Sequence, residues 1–239
     1  MADQCFSAVD AALGYLYQVR CALLWTLKRQ RAESPDFQVS IETLDDVTFD
    51  IGGEATELLQ TKHHRKGLGS LTDASPDLWK TLRIWFEGHK SKAIPTSTAL
   101  FLVTTAKCGD DSIAALLRHA KRNVDRARQL LDEVARYSTN ETNKAGYFAF
   151  LNTTKAEQIA ILDRVVIVDS APSVNDLDDE SRGEVYWAAG REHLAAFLQR
   201  RGFGWDTIRP ILSDLYRVRD SKEGEAGEGG ADSENSDNE

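Results

Sequence analysis

The chain has 239 residues, 28% of them charged, and a formal net charge of -9, which is enough length for one substantial core without metal or disulfide staples. Cys5, Cys21 and Cys108 have no metal-ligand or redox spacing, no apolar run reaches the ~18 residues of a membrane span, and the opening MADQCFSAVD lacks a basic leader. Neither secretion nor membrane insertion is indicated, and a cytoplasmic protein with buried, reduced thiols is expected. Counted by segment, residues 219–239 hold eight acids against Arg219 and Lys222, a net -6, so the other 218 residues carry -3 (-9 minus -6). That balance neither demands nor forbids a polyanionic partner met through a local basic patch. The Gly/Glu/Ser-rich tail cannot bury enough surface to fold and reads as disordered.

In chain order, apolar residues at helical spacing (Val9, Leu13, Leu16, Tyr17, Leu24, Leu27) predict a helix from Phe6 to about Arg31. Three strands follow, QVSIE (38–42), DVTFDI (46–51) and TELLQTK (56–62), separated by TLD and GGEA turns, as an antiparallel meander. Ser75 as N-cap, Pro76 at the first helical position and Asp77 in the first turn open a helix running to about Glu87. STALFLVTTAKC reads as a central strand covered on both faces, DDSIAALLRHAKRNVDRARQLLDEVARY as a helix with a basic middle, and the stretch after it as two short helices before the strand VVIVD (165–169). Helices broken at Gly202 to Gly204 complete the chain. The expected fold class is α/β, a mixed sheet flanked by helices with a helical C-terminal region.

The polar end of the second hairpin is where chemistry is expected. Alternation puts Leu58, Gln60 and Lys62 on one face, and a three-residue turn, Gly52-Gly53-Glu54, sets Asp46 opposite Gln60 with Lys62 as its diagonal neighbour. A four-residue turn would send Asp46 and Gln60 to opposite faces. A carboxylate, an amide oxygen and an ammonium group together suit phosphodiester hydrolysis. Asp46 and Gln60, with the Thr61 carbonyl, would hold Mg²⁺, with Mn²⁺ as the alternative, while Lys62 orients the attacking water and offsets developing charge. His63, His64, Arg65 and Lys66 follow directly and would meet the nucleic-acid backbone. The plainer reading of the same residues is a solvated rim with an Asp–Lys cross-strand pair.

The run IETLDDVTFD, ELLQTKHH and LTDASPDLWKTLRIW resembles the double-strand DNA endonuclease family of bacterial antiphage systems, found in CBASS effectors and as the nuclease subunit of Lamassu-type systems. These nucleases are similar to the Mrr branch of the PD-(D/E)xK fold, where glutamine often replaces the second acid to give Asp…Gln-x-Lys. The likeness extends from GYLYQ (14–18) through WKTLRIW (79–85), and EVYWAAGREHLAAFLQRRGFGWDTIRPIL resembles the C-terminal helical region of Lamassu-type or ABC-three-component nuclease subunits. It implies a restriction-endonuclease-like core over 1–170, a helical interaction region over 171–218 and the tail over 219–239. It also implies Asp46 and Gln60 as metal ligands, Lys62 as the catalytic lysine, and Gln18, Glu42 and Asp45 as auxiliary residues. The implied partners are double-stranded DNA, an SMC-like ABC ATPase and a further accessory subunit that senses the invader, with a homo-oligomer as the active form.

Lys80 and Arg83, three apart on the helix after the hairpin, share a face that either contacts phosphate or is solvated. Trp79, Leu82 and Trp85 read as core. Arg118, Lys121, Arg122, Arg126 and Arg128 form a denser basic stretch that either tracks DNA or is a solvated helix face, with Asp125 and Asp132 diluting it. His63 and His64, adjacent on a strand, point oppositely and do not share a zinc. The expected function is a Mg²⁺-dependent endonuclease acting as the effector of a multi-subunit defence complex. The alternative is a non-catalytic adaptor of the same fold that binds DNA or docks on an ATPase.

Overall fold

The computed structural model describes residues 8–31, 36–64, 69–120 and 122–212. Helix α1 (Ala8–Arg31) precedes three strands, β1 (Gln38–Ile41), β2 (Val47–Ile51) and β3 (Glu54–Lys62). After β4 (Ser70–Leu71) come α2 (Pro76–Lys90), β5 (Ala99–Thr104) and β6 (Lys107–Cys108). Helices α3 (Ile113–Leu116), α4 (Val124–Tyr137), α5 (Lys144–Leu151) and α6 (Lys155–Leu162) lead to β7 (Val165–Val168) and α7 (Val174–Arg200). The main sheet has five strands in the order β1-β2-β3-β5-β7, antiparallel across the meander and parallel from β3 to β7; β4 and β6 pair separately. This is the mixed sheet flanked by helices that the element order predicted.

The β2–β3 turn is shorter than expected. Gly52 (φ 62) and Gly53 (φ 86) both take left-handed conformations that favour glycine, and Ile51 pairs directly with Glu54. The register then shifts between Asp50, which pairs with Ala55, and Phe49, which pairs with Glu57, so Thr56 is an extra residue whose hydroxyl donates to the Phe49 carbonyl (3.2 Å). Two turn residues plus one bulged residue restore the parity of a three-residue turn. Val47 therefore faces Leu59, and Asp46 and Gln60 are next in register.

Two other segments break where periodicity predicted continuity. The run after Ala99 ends its main-sheet pairing at Thr104, where the Thr104 hydroxyl accepts from Ala106 N (3.1 Å) and Thr105 N donates to the Lys62 carbonyl (3.2 Å), turning the chain into β6. The basic helix splits into α3 and α4, with the Asn123 side chain capping α4 by accepting from Arg126 N.

Strand alternation sorts the core into two layers. Leu58, Leu100 and Leu102 pack with Trp79, Leu82, Trp85, Leu131 and Phe150, whereas Val47, Phe49, Leu59 and Val103 pack with Tyr17, Cys21 and Leu24 of α1. Each fully buried large apolar side chain contributes roughly 1.5–3 kcal/mol. Cys21 and Cys108 are free and buried, as expected, and Cys5 lies outside the described residues. Helices α2 and α5 approach closely at Gly146, where a Cβ would sit 2.8 Å from the Trp79 carbonyl oxygen, while Tyr147 stands edge-on to Trp79 with ring centroids 4.6 Å apart. Gly146→Ala gains about 1 kcal/mol of helix propensity but forces these helices apart, for a net loss of about 1–2 kcal/mol. Urea denaturation checks this, and an unchanged midpoint would show that the two helices slide at no cost.

The chain divides into two units, Met1–Ser181 and Arg182–Glu239. In the first, residues 172–180 are tied to α1: Tyr17 Oη donates to the Pro172 carbonyl (3.1 Å), Arg20 to the Val174 carbonyl (3.0 Å), and Arg20 and Lys28 pair with Asp178 and Glu180. In the second unit Ala195, Ile208 and Leu212 form a small core with Leu194 and Leu198. The expected acidic tail lies outside the described residues. Among those described, no helix is long and apolar enough to cross a membrane.

Candidate functional site

Of the residues singled out in the sequence, Glu42, Asp45 and Asp46 lie just before β2 begins, and Gln60, Thr61 and Lys62 lie where β3 ends. β1 stops at Ile41 because Glu42 turns into the left-handed region (φ 59), and Glu42 N donates to the Asp46 carbonyl (3.1 Å), closing a turn over residues 42–46. The expected strands 38–42 and 46–51 are each one residue shorter at this turn. Alternation consequently stops at Val47, and Asp46 is positioned by the turn instead.

The two adjacent carboxylates go to different sides. Asp46 Oδ2 accepts from Thr61 N (2.7 Å) and from the Thr61 hydroxyl (3.1 Å). Thr61 follows Leu59 on the α1 side of the sheet, and the Asp46 charge acts on Cys21 of α1. Asp45 Oδ1 accepts from Asp46 N (3.0 Å) and Oδ2 from the indole N–H of Trp85 (2.9 Å). Trp85 packs in the same layer as Leu58, so it is the Asp45 carboxylate that lies on the side of β3 bearing Gln60 and Lys62. Burial raises the Asp45 carboxyl to about 6, against the opposing hydrogen bonds from Trp85 and the Asp46 amide; the Asp46 charge raises it further and the Lys62 charge lowers it. Where Asp46 was expected to share a face with Gln60 and Lys62, its carboxylate instead engages Thr61, and Asp45 takes the place on the lysine's side.

Gln60 and Thr61 are buried, at 4% and 7% exposure. In an extended strand the N–H and C=O of one residue point to the same edge. The Thr61 carbonyl thus lies on the edge where its N–H meets Asp46, beyond the end of the β2 ladder. On α1, the Tyr17 ring packs against His63 with centroids 5.0 Å apart. Burial raises the Tyr17 phenol, and burial pushes the Cys21 thiol up to about 12, which leaves that thiol unreactive. Between them in sequence, Gln18 keeps a buried Oε1 with no hydrogen-bond partner among the described residues.

His64 turns away from His63 toward α2: its N–H donates to the Thr105 hydroxyl (3.0 Å), and Nε2 lies 3.1 Å from Asp77 Oδ2, an ion-pair distance without hydrogen-bond alignment. Lys80 is exposed on α2, whereas Arg83 is half-buried with Nε 3.8 Å from Glu87 Oε1. Arg65 and Lys66 lie outside the described residues, as does Lys121. Two arginines of the basic stretch are braces. Arg118 forks onto Asp169 with two bonds of 2.7 Å, and Asp169 also accepts from Cys108 N (3.0 Å). Burial opposes ionisation of Asp169, but the Arg118 guanidinium and the Cys108 amide and thiol outweigh it and hold the carboxyl down at about 2. Arg122 donates to the carbonyls of Leu117 (3.0 Å), Val165 (2.6 Å) and Leu162.

The donors that could hold a cation at this end of the hairpin are Asp46, the Thr61 carbonyl and the amide oxygen of Gln60. An all-oxygen set fits a hard divalent ion. Among the described residues no group of three or more His, Cys, Asp or Glu side chains is placed to hold a metal. The sequence reading missed the pairing of Trp85 with Asp45; the signal was available, because a buried indole N–H needs an acceptor. No protein-family model matches the chain, and no curated protein matches it in sequence.

Proposed function

We propose that the chain is a metal-dependent endonuclease of double-stranded DNA, restriction-endonuclease-like in its core and related to the nuclease subunits of Lamassu-type defence complexes. One observation supports the reading: where an antiparallel hairpin joins parallel strands, the Asp46 carboxylate engages the Thr61 amide and hydroxyl, and the neighbouring Asp45 carboxylate feels the charges of Asp46 and Lys62. Asp46 would bind Mg²⁺ or Mn²⁺ with the neutral oxygens of Gln60 and Thr61. When bound, the ion would supply Lewis acidity toward a phosphate oxygen and lower the pKa of a coordinated water. Lys62 would orient that water and offset charge developing on the phosphate, and its charge acts on the Asp45 carboxyl. Lys80, on the outer face of α2, is available to a phosphate backbone.

Each chain offers one such site, so cutting both strands calls for at least two copies. An SMC-like ATPase and an accessory subunit are the proposed partners. Plasmid cleavage in Mg²⁺ or Mn²⁺ by the assembled, activated complex tests the chemistry. Lys62→Ala should lower the rate about a hundredfold, as loss of one preorganised charge-stabilising group does. Equal rates for variant and wild type would end the role given to Lys62.

The second reading, a non-catalytic adaptor, has its own observation. Tyr186, Phe197, Phe203 and Trp205 of the second unit are exposed, Tyr186 at 76%, and such side chains suit a protein partner. An adaptor keeps complex formation in hairpin variants, loses it when the second unit is removed, and cuts DNA with neither metal.

A further inference from the structure

We propose that Trp85 is a positioning residue for the cation site: acting through Asp45, its indole N–H fixes the 42–46 turn that presents Asp46. The inference rests on the reading of that site given above. Trp85 is 1% exposed, clamped in the layer that includes Leu58, Leu82 and Leu102, so its ring is a rigid reference point two turns into α2. Its N–H holds one oxygen of Asp45, and the other oxygen holds the Asp46 amide. A carboxylate gripped on both oxygens cannot rotate without losing one of them. The Asp46 peptide is further tied to Glu42 N, and its side chain to Thr61. Glu42 occupies a left-handed conformation costing roughly 1 kcal/mol or more, so the turn needs such ties to persist. The chain of contacts from α2 to the cation site is Trp85, Asp45, Asp46, with no gap.

The same helix supplies a matched control. Trp79 is 0% exposed and donates its indole N–H to the Asp73 carbonyl (2.7 Å), away from the 42–46 turn. Trp85→Phe and Trp79→Phe each remove one buried indole hydrogen bond, and both should lower the melting temperature to a similar degree. Only Trp85→Phe should weaken Mn²⁺ binding to the full chain, by about tenfold in a calorimetric titration, and lower kcat for plasmid cleavage by the activated complex at unchanged KM. In an Asp45→Ala background the Trp85→Phe step should change Mn²⁺ affinity no further. The inference is overturned if the two tryptophan variants bind Mn²⁺ alike, or if the Trp85→Phe step is as large without Asp45 as with it. A wild-type chain that neither binds Mn²⁺ nor cuts gives a different result: it removes the cation site itself, and this role with it.

Discussion

Asp45→Asn is expected to stabilise the protein against the wild type as pH rises, by on the order of 3 kcal/mol across the window from about pH 4 to pH 7. Burial lifts the Asp45 carboxyl from its ordinary 3.8 to about 6. A carboxyl raised in this way favours the folded state while it is protonated; that contribution is complete below 3.8 and is lost as pH climbs through 6. Asparagine does not titrate, keeps one acceptor for Trp85 or the Asp46 amide, and gives up about 1 kcal/mol for the other. In metal-free buffer, then, the variant should be slightly the weaker of the two at pH 4 and the stronger at pH 8. Urea midpoints measured side by side show this directly, because titrating groups that do not interact with Asp45 cancel in the difference. Under the proposed function, the same substitution should cost cleavage and Mn²⁺ binding. A residue whose removal strengthens the fold and weakens the activity is one kept for its chemistry. A difference that stays flat with pH would mean that solvent reaches Asp45 and its ionisation is not costly.

Arg122→Ala should be the more damaging change at neutral pH, costing about 4 kcal/mol and roughly 10 °C in melting temperature. Its guanidinium joins three carbonyls from three places: Leu117 after α3, Leu162 at the end of α6 and Val165 at the start of β7. Truncation leaves these acceptors short of a donor in a region of the chain where Ile167 N also bonds the Leu117 carbonyl (3.1 Å). Arg122→Lys keeps the charge and loses the planar fork, so it should restore less than half of the stability. DNA affinity and its salt dependence, measured well below the melting transition, should not move. A loss of affinity with no loss of stability would return Arg122 to the role of a phosphate contact.

Much of the fold was legible because it rests on local pattern. Period-two alternation in TELLQTK divides Leu58 from Leu59 as the two core layers do, and Pro76 and Asp77 mark the start of α2. The misses share a physical cause, a contact from far along the chain. Helical periodicity runs unbroken through 117–123, yet the bonds that interrupt it come from residues 162 and 165. β5 ends at Thr104 and not at Cys108 because the Thr104 hydroxyl takes the Ala106 amide and the Thr105 hydroxyl takes the His64 amide of the neighbouring segment. At the candidate site, alternation placed Gln60, Thr61 and Lys62 within a strand paired on both edges, but it could not reach Asp45 and Asp46. One residue outside a ladder, the turn decides where a side chain points.

The bulge at Thr56 gives the hairpin something like a reading frame. The two-residue Gly52-Gly53 connection alone would leave everything downstream out of phase, sending Gln60 and Lys62 to the side now occupied by Leu59 and Thr61; the one supernumerary threonine brings the phase back. Evolution can therefore shorten the loop only if it also removes the bulge, and can smooth the strand only if it lengthens the loop. The two irregularities are inherited together or not at all.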